Sequence, residues 1–179
     1  MSKSVYSVFE YVDQKTGKWE TANLYKRYDN GIYDIAQLIT GNSECWAAIS
    51  GEEPFDFPFN DDGDAIDNLV DPIGRIEELI IDARSGNIPS NASGDTKEYY
   101  EQFGVSGWSS DPDKKRYPEC VVFTLRDLDL LEMLAKGASA KALRFYTKYF
   151  AQIRWLLYSV QRSEYISKGS DVRVLIWGY

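Results

Sequence analysis

The chain of 179 residues contains no histidine. It therefore lacks the base of Ser-His-Asp and Cys-His catalysis, the usual nitrogen ligand of zinc, and the side chain that titrates near neutral pH. An enzyme with this sequence would have to work with carboxylates, lysine, tyrosine or a bound Mg²⁺ or Ca²⁺. The sequence also has no G-x-G-x-x-G and no P-loop motif for nucleotide phosphates.

Cysteine, excess basic charge and long apolar runs are scarce as well. Cys45 and Cys120 form no C-x-x-C motif, which favours two free thiols in a reducing cytoplasm. A net charge of −8 argues against nucleic acid bound through a globally basic surface. No run is long enough to span a membrane and no apolar signal-peptide core is present. We therefore expect a cytoplasmic protein that binds neither membrane nor nucleic acid directly.

What the sequence does contain is enough apolar material for a core. Hydrophobic residues make up 44% of the chain and aromatic residues 15%, too much for a disordered protein. No repeat and no linker divides the sequence. We therefore predict a single globular domain over residues 1–179.

We predict that the segment from Ser139 to Tyr179 forms the core of that domain. Apolar residues recur there at alternating intervals of three and four, which is typical of one long amphipathic helix. Lys168-Gly169-Ser170 breaks the pattern, and an apolar strand from Asp171 follows. The apolar residues of the helix are Leu143, Tyr146, Phe150, Ile153, Leu157 and Val160.

Turn and capping signals predict the other elements. A turn at 13–17 between two β-rich stretches predicts a hairpin. Asp71-Pro72 predicts a helix start, Asp95–Glu98 has capping-box spacing, and Thr124 with Asp127 predicts a further helix start. The predicted strands are 5–12, 19–25, 119–123 and 171–179, and the predicted helices are 32–39, 72–83, 99–103, 124–134 and the long helix.

Strands at both ends of the chain and helices between them predict an α+β fold. Strands joined by a short loop are antiparallel, and the regular βαβ alternation of parallel sheets is missing. We expect a small mixed or mainly antiparallel sheet with helices packed mostly on one face. The final strand is apolar on both faces, which is typical of a central strand.

Four stretches resemble a group of uncharacterised proteins encoded by bacteriophages and prophages. Asp171–Trp177 resembles the closing DVRLVFWF strand of that group, and Tyr33–Gly41 resembles its NYDLFALLAGV helix. Tyr100–Gly107 resembles the segment before its HSxSYLTLKEL motif, and Val121–Leu128 resembles the second half of that motif. The histidine of that motif is absent here, and Gly178-Tyr179 replaces the group's FDN ending. The resemblance implies a small accessory protein of phage or prophage type, in the cytoplasm of a bacterium or of a phage's host cell.

The segment 51–71 is the most unusual local feature, because it carries eight carboxylates and no lysine or arginine. Three interpretations remain open: a solvated loop held by its phenylalanines, a mimic of nucleic-acid phosphates, and a site for a hard cation. The spacing fails the EF-hand, because the first and twelfth loop positions would be Pro58 and Leu69. We therefore expect no metal and no cofactor.

A protein-binding surface is the function that we predict for this segment. Trp108 lies in a polar stretch where an exposed aromatic residue is typical of a contact surface, although packing on the helix near residues 95–103 is an alternative. The other tryptophans are expected mostly in the core. The candidate protein-binding residues are Asp56, Asp61, Asp62, Asp64, Asp67 and Trp108, and no catalytic residue is predicted.

The long helix is the opposite case, because it has five basic residues and no acid from Ser139 to Ser163. It could dock on the acidic segment of the same chain or bind an acidic partner. Together with the resemblance, the sequence favours a non-enzymatic phage-type accessory protein that binds a host or phage protein, and its acidic segment would suit one with a basic surface. A Mg-dependent or nucleotide-handling enzyme that uses carboxylates and a structural or assembly subunit are the alternatives.

Overall fold

The computed structural model describes residues 5–22, 72–83, 87–103 and 120–178. In these ranges no helix is long and apolar enough to cross a membrane. The strands are β1 (Val5–Val12), β2 (Trp19–Thr21), β3 (Cys120–Thr124) and β4 (Val172–Gly178). The helices are α1 (Pro72–Asp82), α2 (Gly94–Phe103), α3 (Leu125–Ala138), α4 (Ala140–Tyr149) and α5 (Ala151–Ser163), and a 3₁₀ turn (Gly169–Asp171) precedes β4.

The four strands form one antiparallel sheet in the order β2-β1-β4-β3. The final strand β4 is central, with β1 on one side and β3 on the other. Every side chain from Val172 to Trp177 is buried, since a strand that is apolar on both faces needs cover on both sides. The predicted α+β fold and the predicted central position of the final strand are both confirmed.

The turn between β1 and β2 is stabilised by its first residue. Asp13 Oδ1 accepts hydrogen bonds from the backbone N–H groups of Lys15 at 2.7 Å and Thr16 at 3.0 Å. These bonds lower the pKa of the Asp13 carboxyl. Gly17 closes the turn at φ 67°, a conformation that glycine adopts without strain. The hairpin prediction is therefore confirmed, with a second strand that ends at Thr21.

Helices α1, α3, α4 and α5 cover one face of the sheet, which we call the larger face. Phe123 of β3 packs edge-on against Phe150 with 5.5 Å between ring centroids. Ile76 and Ile80 of α1 are buried in the same core. The other large members of this core are Phe9, Leu128, Leu131, Ile153, Leu157, Val174 and Ile176.

Two local predictions on this face had different outcomes. Helix α3 begins at the predicted position, where Thr124 and Asp127 form a capping box: Asp127 N donates to Thr124 Oγ1 at 3.1 Å and Thr124 N donates to Asp127 Oδ2 at 2.8 Å. The single long helix is a wrong prediction, because the chain forms α4 and α5 with a break at Phe150. Phe150 has φ −113° and its side chain is buried against the sheet.

Helix α2 and the chain just before it cover the other face, which we call the smaller face. Trp177 is fully buried there. The rings of Tyr99 and Tyr100 contact the indole edge-on at 5.7 Å and 5.2 Å between centroids. Tyr6 of β1 stacks on it at 6.2 Å. Of the helices in the described ranges, four cover one face of the sheet and one covers the other, which confirms the prediction that helices pack mostly on one face.

The start of α2 corrects a second prediction. The helix begins at Gly94, not near Tyr99. Its cap is Ser93, whose Oγ accepts from Thr96 N at 3.1 Å. The spacing of Asp95 and Glu98 matched a capping box, but both side chains are exposed within the helix. Propensity could not choose between two capping residues that lie two positions apart.

The expectation that tryptophans lie mostly in the core holds for Trp177 but not for Trp155. Trp177 is in the core as expected, whereas 67% of the Trp155 surface is exposed. Position 155 is two residues from the buried Ile153, which is more than half a turn around the helix. The predicted helix at 32–39, the acidic segment 51–71, Cys45, Trp46 and Trp108 lie outside the described residues.

Candidate functional site

A row of polar side chains crosses the smaller face of the sheet. The strand register pairs Glu10 with Thr21 on one side and with Arg173 on the other. Thr124 pairs with Arg173 from the far side. Paired positions of an antiparallel sheet project to the same face. The four strands therefore bring together residues from both ends of the chain.

Glu10 and Arg173 form a buried ion pair in this row. Arg173 Nε donates to Glu10 Oε2 at 2.8 Å, and Nη2 lies 2.7 Å from the same oxygen. The Nη2 approach lacks hydrogen-bond geometry, so only its charge contributes. The side chain of Arg173 is 7% exposed and that of Glu10 is 0% exposed. In such surroundings the attraction between the charges is little screened by water.

The second carboxylate oxygen of Glu10 binds the start of α2. Glu10 Oε1 accepts from the backbone N–H of Ser93 at 2.8 Å. The first N–H groups of a helix have no partner inside the helix and carry a positive partial charge. The carboxylate is therefore compensated by a guanidinium on one oxygen and by a helix start on the other.

Trp19 and Asn91 enclose the guanidinium of Arg173. Its Cζ atom lies 3.8 Å from the centroid of the Trp19 ring, which is close for a cation–π contact. Its Nη1 donates to Asn91 Oδ1 at 3.1 Å. The planar guanidinium therefore stacks its face on Trp19 while an N–H at its edge donates to Asn91. The ammonium group of lysine has no such planar face.

Three hydroxyl groups continue the network toward β2. Thr21 Oγ1 contacts Ser93 Oγ and lies 2.8 Å from Thr96 Oγ1. Ser93 Oγ donates to Thr96 Oγ1 at 2.9 Å. Each hydroxyl thus contacts the other two, and the edge strand β2 is joined to the first turn of α2.

The chemistry available to this cluster is set by its burial. Both oxygens of Glu10 are bonded and the side chain is fully buried. A general base needs a free lone pair within reach of a substrate proton. In this arrangement Glu10 and Arg173 hold α2 against the sheet.

Neither Glu10 nor Arg173 was predicted from the sequence as a site residue, although a signal was present. Glu10 is the one charged residue in β1, and Arg173 is the one charged residue in β4. A charge inside a strand that is otherwise apolar must be paired or must reach solvent. Pairing these two charges across adjacent strands would have predicted the bond.

A second charge cluster joins α3 to the helices that follow it. Arg154 Nε donates to Asp129 Oδ1 at 2.6 Å and lies 3.2 Å from Glu132 Oε2. Lys136 and Arg154 lower the pKa of the Glu132 carboxyl, chiefly through the hydrogen bond from Lys136. Burial, and then the charge of Glu132, raise the pKa of the Tyr146 hydroxyl. Arg154 of the basic helix therefore binds acids of α3.

The outward side of α4 and α5 carries exposed aromatic and basic residues. Buried residues keep the three-four spacing across the break at Phe150, so the exposed residues of both helices lie on the side away from the sheet. Trp155 and Tyr158 are 67% and 43% exposed. Arg162 Cζ lies 6.0 Å from the centroid of the Tyr158 ring. We call this surface the α4–α5 outer face, with residues Lys141, Arg144, Trp155, Tyr158 and Arg162.

The protein-binding residues predicted from the sequence all lie outside the described residues. These are Asp56, Asp61, Asp62, Asp64, Asp67 and Trp108. Their role stays a prediction. In residues 5–22, 72–83, 87–103 and 120–178, no group of three or more Cys, Asp or Glu side chains could hold a metal ion.

Comparison with known proteins gives no family for this chain. No protein-family model, no curated protein and no solved structure matches it. The resemblance to phage and prophage proteins therefore stays a prediction. A function has to be argued from the surfaces and clusters described above.

Proposed function

We propose that this chain is a non-enzymatic accessory protein, of phage or prophage type, that binds another protein. The observation that carries the proposal is the exposure of Trp155 and Tyr158 on a helix whose opposite side already fills the core. Large aromatic residues that keep much of their surface exposed contribute little of that surface to the packing of the fold, and they are typical of contact surfaces.

The buried polar cluster is consistent with this proposal. Its carboxylate and guanidinium are bonded to each other, to Asn91 and to the start of α2. These contacts stabilise the fold and leave recognition to surface residues. The segment 51–71, with eight carboxylates and interleaved phenylalanines, is the surface that we propose for a partner with basic character.

Capture of a partner from host-cell extract tests this surface. The variant carries Asp61→Asn, Asp62→Asn and Asp64→Asn together. We expect it to capture less partner and to show less dependence of capture on salt, because surface charges mainly set the encounter rate. Its free energy of unfolding should be nearly unchanged. The captured protein is identified by mass spectrometry and then purified for a binding measurement.

A matched control removes the same number of charges elsewhere. Asp82→Asn, Glu98→Gln and Glu101→Gln alter exposed carboxylates on α1 and α2, and this variant should capture the partner normally. The opposite result would be a segment variant that loses stability at low salt while capture is unchanged. That result would mean that the acidic segment is bound within its own chain.

A further inference from the structure

The α4–α5 outer face combines the side chains that dominate protein interfaces. Trp, Tyr and Arg are enriched among the residues that contribute most to binding, and Trp155, Tyr158 and Arg162 recur at intervals of three and four along one helix. The side chains of Trp155 and Tyr158 are exposed to water. The buried stripe of the same helix contains Ile153, Leu157 and Val160. The aromatic residues are therefore not needed to cover the sheet.

The charges of this face are of one sign. Lys141, Arg144 and Arg162 are exposed, and the sequence has no acid from Ser139 to Ser163. Arg154, whose side chain is partly buried, is compensated by Asp129 and Glu132 of α3. The outer face therefore carries positive charge beside exposed aromatic rings.

The position of Lys141 disfavours a role in helix stability. Ser139 caps α4 by accepting from Ala142 N at 3.0 Å, so Lys141 lies in the first helical turn. A positive charge there is repelled by the positive end of the helix dipole. The helix has no acid in its first turn. This residue is better explained by an attraction to something outside the helix.

We infer that the α4–α5 outer face docks an acidic segment of another protein, with apolar side chains between its carboxylates. The carboxylates would meet Lys141, Arg144 and Arg162, and the apolar side chains would cover the rings of Trp155 and Tyr158. A nucleic acid is disfavoured, because the net charge of −8 repels a long polyanion. The inference rests on the proposed protein-binding function, but it assigns a different surface from the segment 51–71, which has the opposite charge.

Short labelled peptides test this chemistry. One peptide alternates glutamate with leucine and phenylalanine, a second replaces each glutamate by glutamine, and a third by lysine. Fluorescence anisotropy with the full chain should show binding of the acidic peptide, weaker binding of the glutamine peptide, and none of the lysine peptide. Binding of the acidic peptide should weaken as salt rises, because salt screens exposed charges.

Variants of the face show where the peptide binds. Trp155→Ala and Arg162→Glu should each weaken binding about tenfold or more, as removal of a central contact residue does. Met133→Ala and Arg126→Glu remove an exposed apolar residue and an exposed charge from α3, and should leave binding unchanged. Melting curves check that every variant is folded.

Four results would overturn the inference. The first is no binding of the acidic peptide by the native chain at about 1 mM, the weak limit of specific contacts. The second is binding that appears only after Asp61, Asp62 and Asp64 are changed to Asn, since the chain's own segment would then occupy the face. The third is a dimer that Trp155→Ala dissociates, since a second copy would be the occupant. The fourth is tighter binding of a single-stranded oligonucleotide that Trp155→Ala abolishes.

Discussion

Two arginine–carboxylate clusters in this protein have hydrogen bonds of similar length and very different surroundings. Arg173 Nε lies 2.8 Å from Glu10 Oε2, and the Arg173 and Glu10 side chains are 7% and 0% exposed. Arg154 and Asp129 approach to 2.6 Å with side chains 38% and 50% exposed. The distances alone would rank the two pairs as equal. Burial is what separates them.

A short ion pair is therefore not by itself a strong one. At the surface, water screens the attraction and two long side chains lose freedom, so that exposed pairs contribute about 0–1 kcal/mol. In the interior, removal of one partner leaves a charge without solvent or counter-charge, which costs about 3–5 kcal/mol. The clusters are therefore expected to respond differently to the same substitution.

The largest effect is expected for Arg173→Met. Methionine keeps much of the apolar length of arginine but leaves Glu10 with only the Ser93 N–H as a partner. We expect a loss of about 3–5 kcal/mol in the free energy of unfolding, measured by urea denaturation. Arg154→Met is the matched control on the exposed cluster, and the two variants should differ by several kcal/mol.

A double variant separates the charge from the packing. Glu10→Gln removes the negative charge but keeps a side-chain oxygen that can accept from Ser93 N. Combined with Arg173→Met, it should restore part of the stability lost in the single variant, because no buried charge is then unpaired. Equal losses for Arg173→Met and Arg154→Met would contradict the comparison. A double variant less stable than Arg173→Met alone would show that packing, not charge, causes the loss.

Local elements of this fold were predictable because their contacts are close in sequence. The capping box of α3 joins Thr124 to Asp127, three positions apart. The central place of β4 followed from an apolar run on both faces. The α+β class with a mainly antiparallel sheet could be predicted from strand positions and loop lengths alone.

The buried cluster was not predictable in the same way. Glu10 and Arg173 are 163 positions apart, and Ser93 lies 83 positions from Glu10. No spacing rule connects such residues, so their only trace was an isolated charge in each strand. The cap of α2 failed for a related reason, since Ser93 is also held by Glu10 from β1. Tertiary contacts decided between Ser93 and Asp95 where propensity did not.

The break between α4 and α5 could not be predicted because the apolar spacing does not change there. Tyr146, Phe150 and Ile153 are all buried, as in one continuous helix. The break at Phe150 became visible only in the backbone. For the α4–α5 outer face, the exposure of Trp155 was implied by its distance from the apolar stripe, but we expected tryptophans to be mostly in the core.

A smaller effect is expected for Arg154→Met itself. The exposed cluster should contribute about 0.2–1 kcal/mol at neutral pH and low salt. The Glu132 pKa is lowered in the folded chain, so the unfolded chain binds more protons between the lowered and the ordinary value. The contribution of Glu132 is therefore complete above its ordinary pKa and is lost as pH falls through the lowered one.

Denaturation at several pH values, at low salt and in about 1 M NaCl, measures this contribution. Arg154→Met should match the native chain more closely in high salt and at acid pH. Lys136→Met provides a second check, because it removes the hydrogen bond that lowers the Glu132 pKa most. An NMR titration should then show the Glu132 pKa moving up. A pH-independent loss for Arg154→Met would assign it to the packing of the side chain.

An effect about as small as that of Arg154→Met, but of opposite sign, is expected for Lys141→Glu. A negative charge in the first turn of α4 is attracted by the positive helix end, so the variant should be about 0.3–1 kcal/mol more stable than the native chain. Arg144→Glu changes the charge equally but lies in the second turn, where the dipole effect has faded, and its stability should change little. Both changes place an acid on the α4–α5 outer face, so both should weaken binding of the acidic peptide alike. Thermal melts and anisotropy on the same samples therefore separate the charge that stabilises a helix from the charge that recruits a partner. A loss of stability in Lys141→Glu would mean that Lys141 has a carboxylate partner within the chain. Its charge would then serve the fold and not an outside partner.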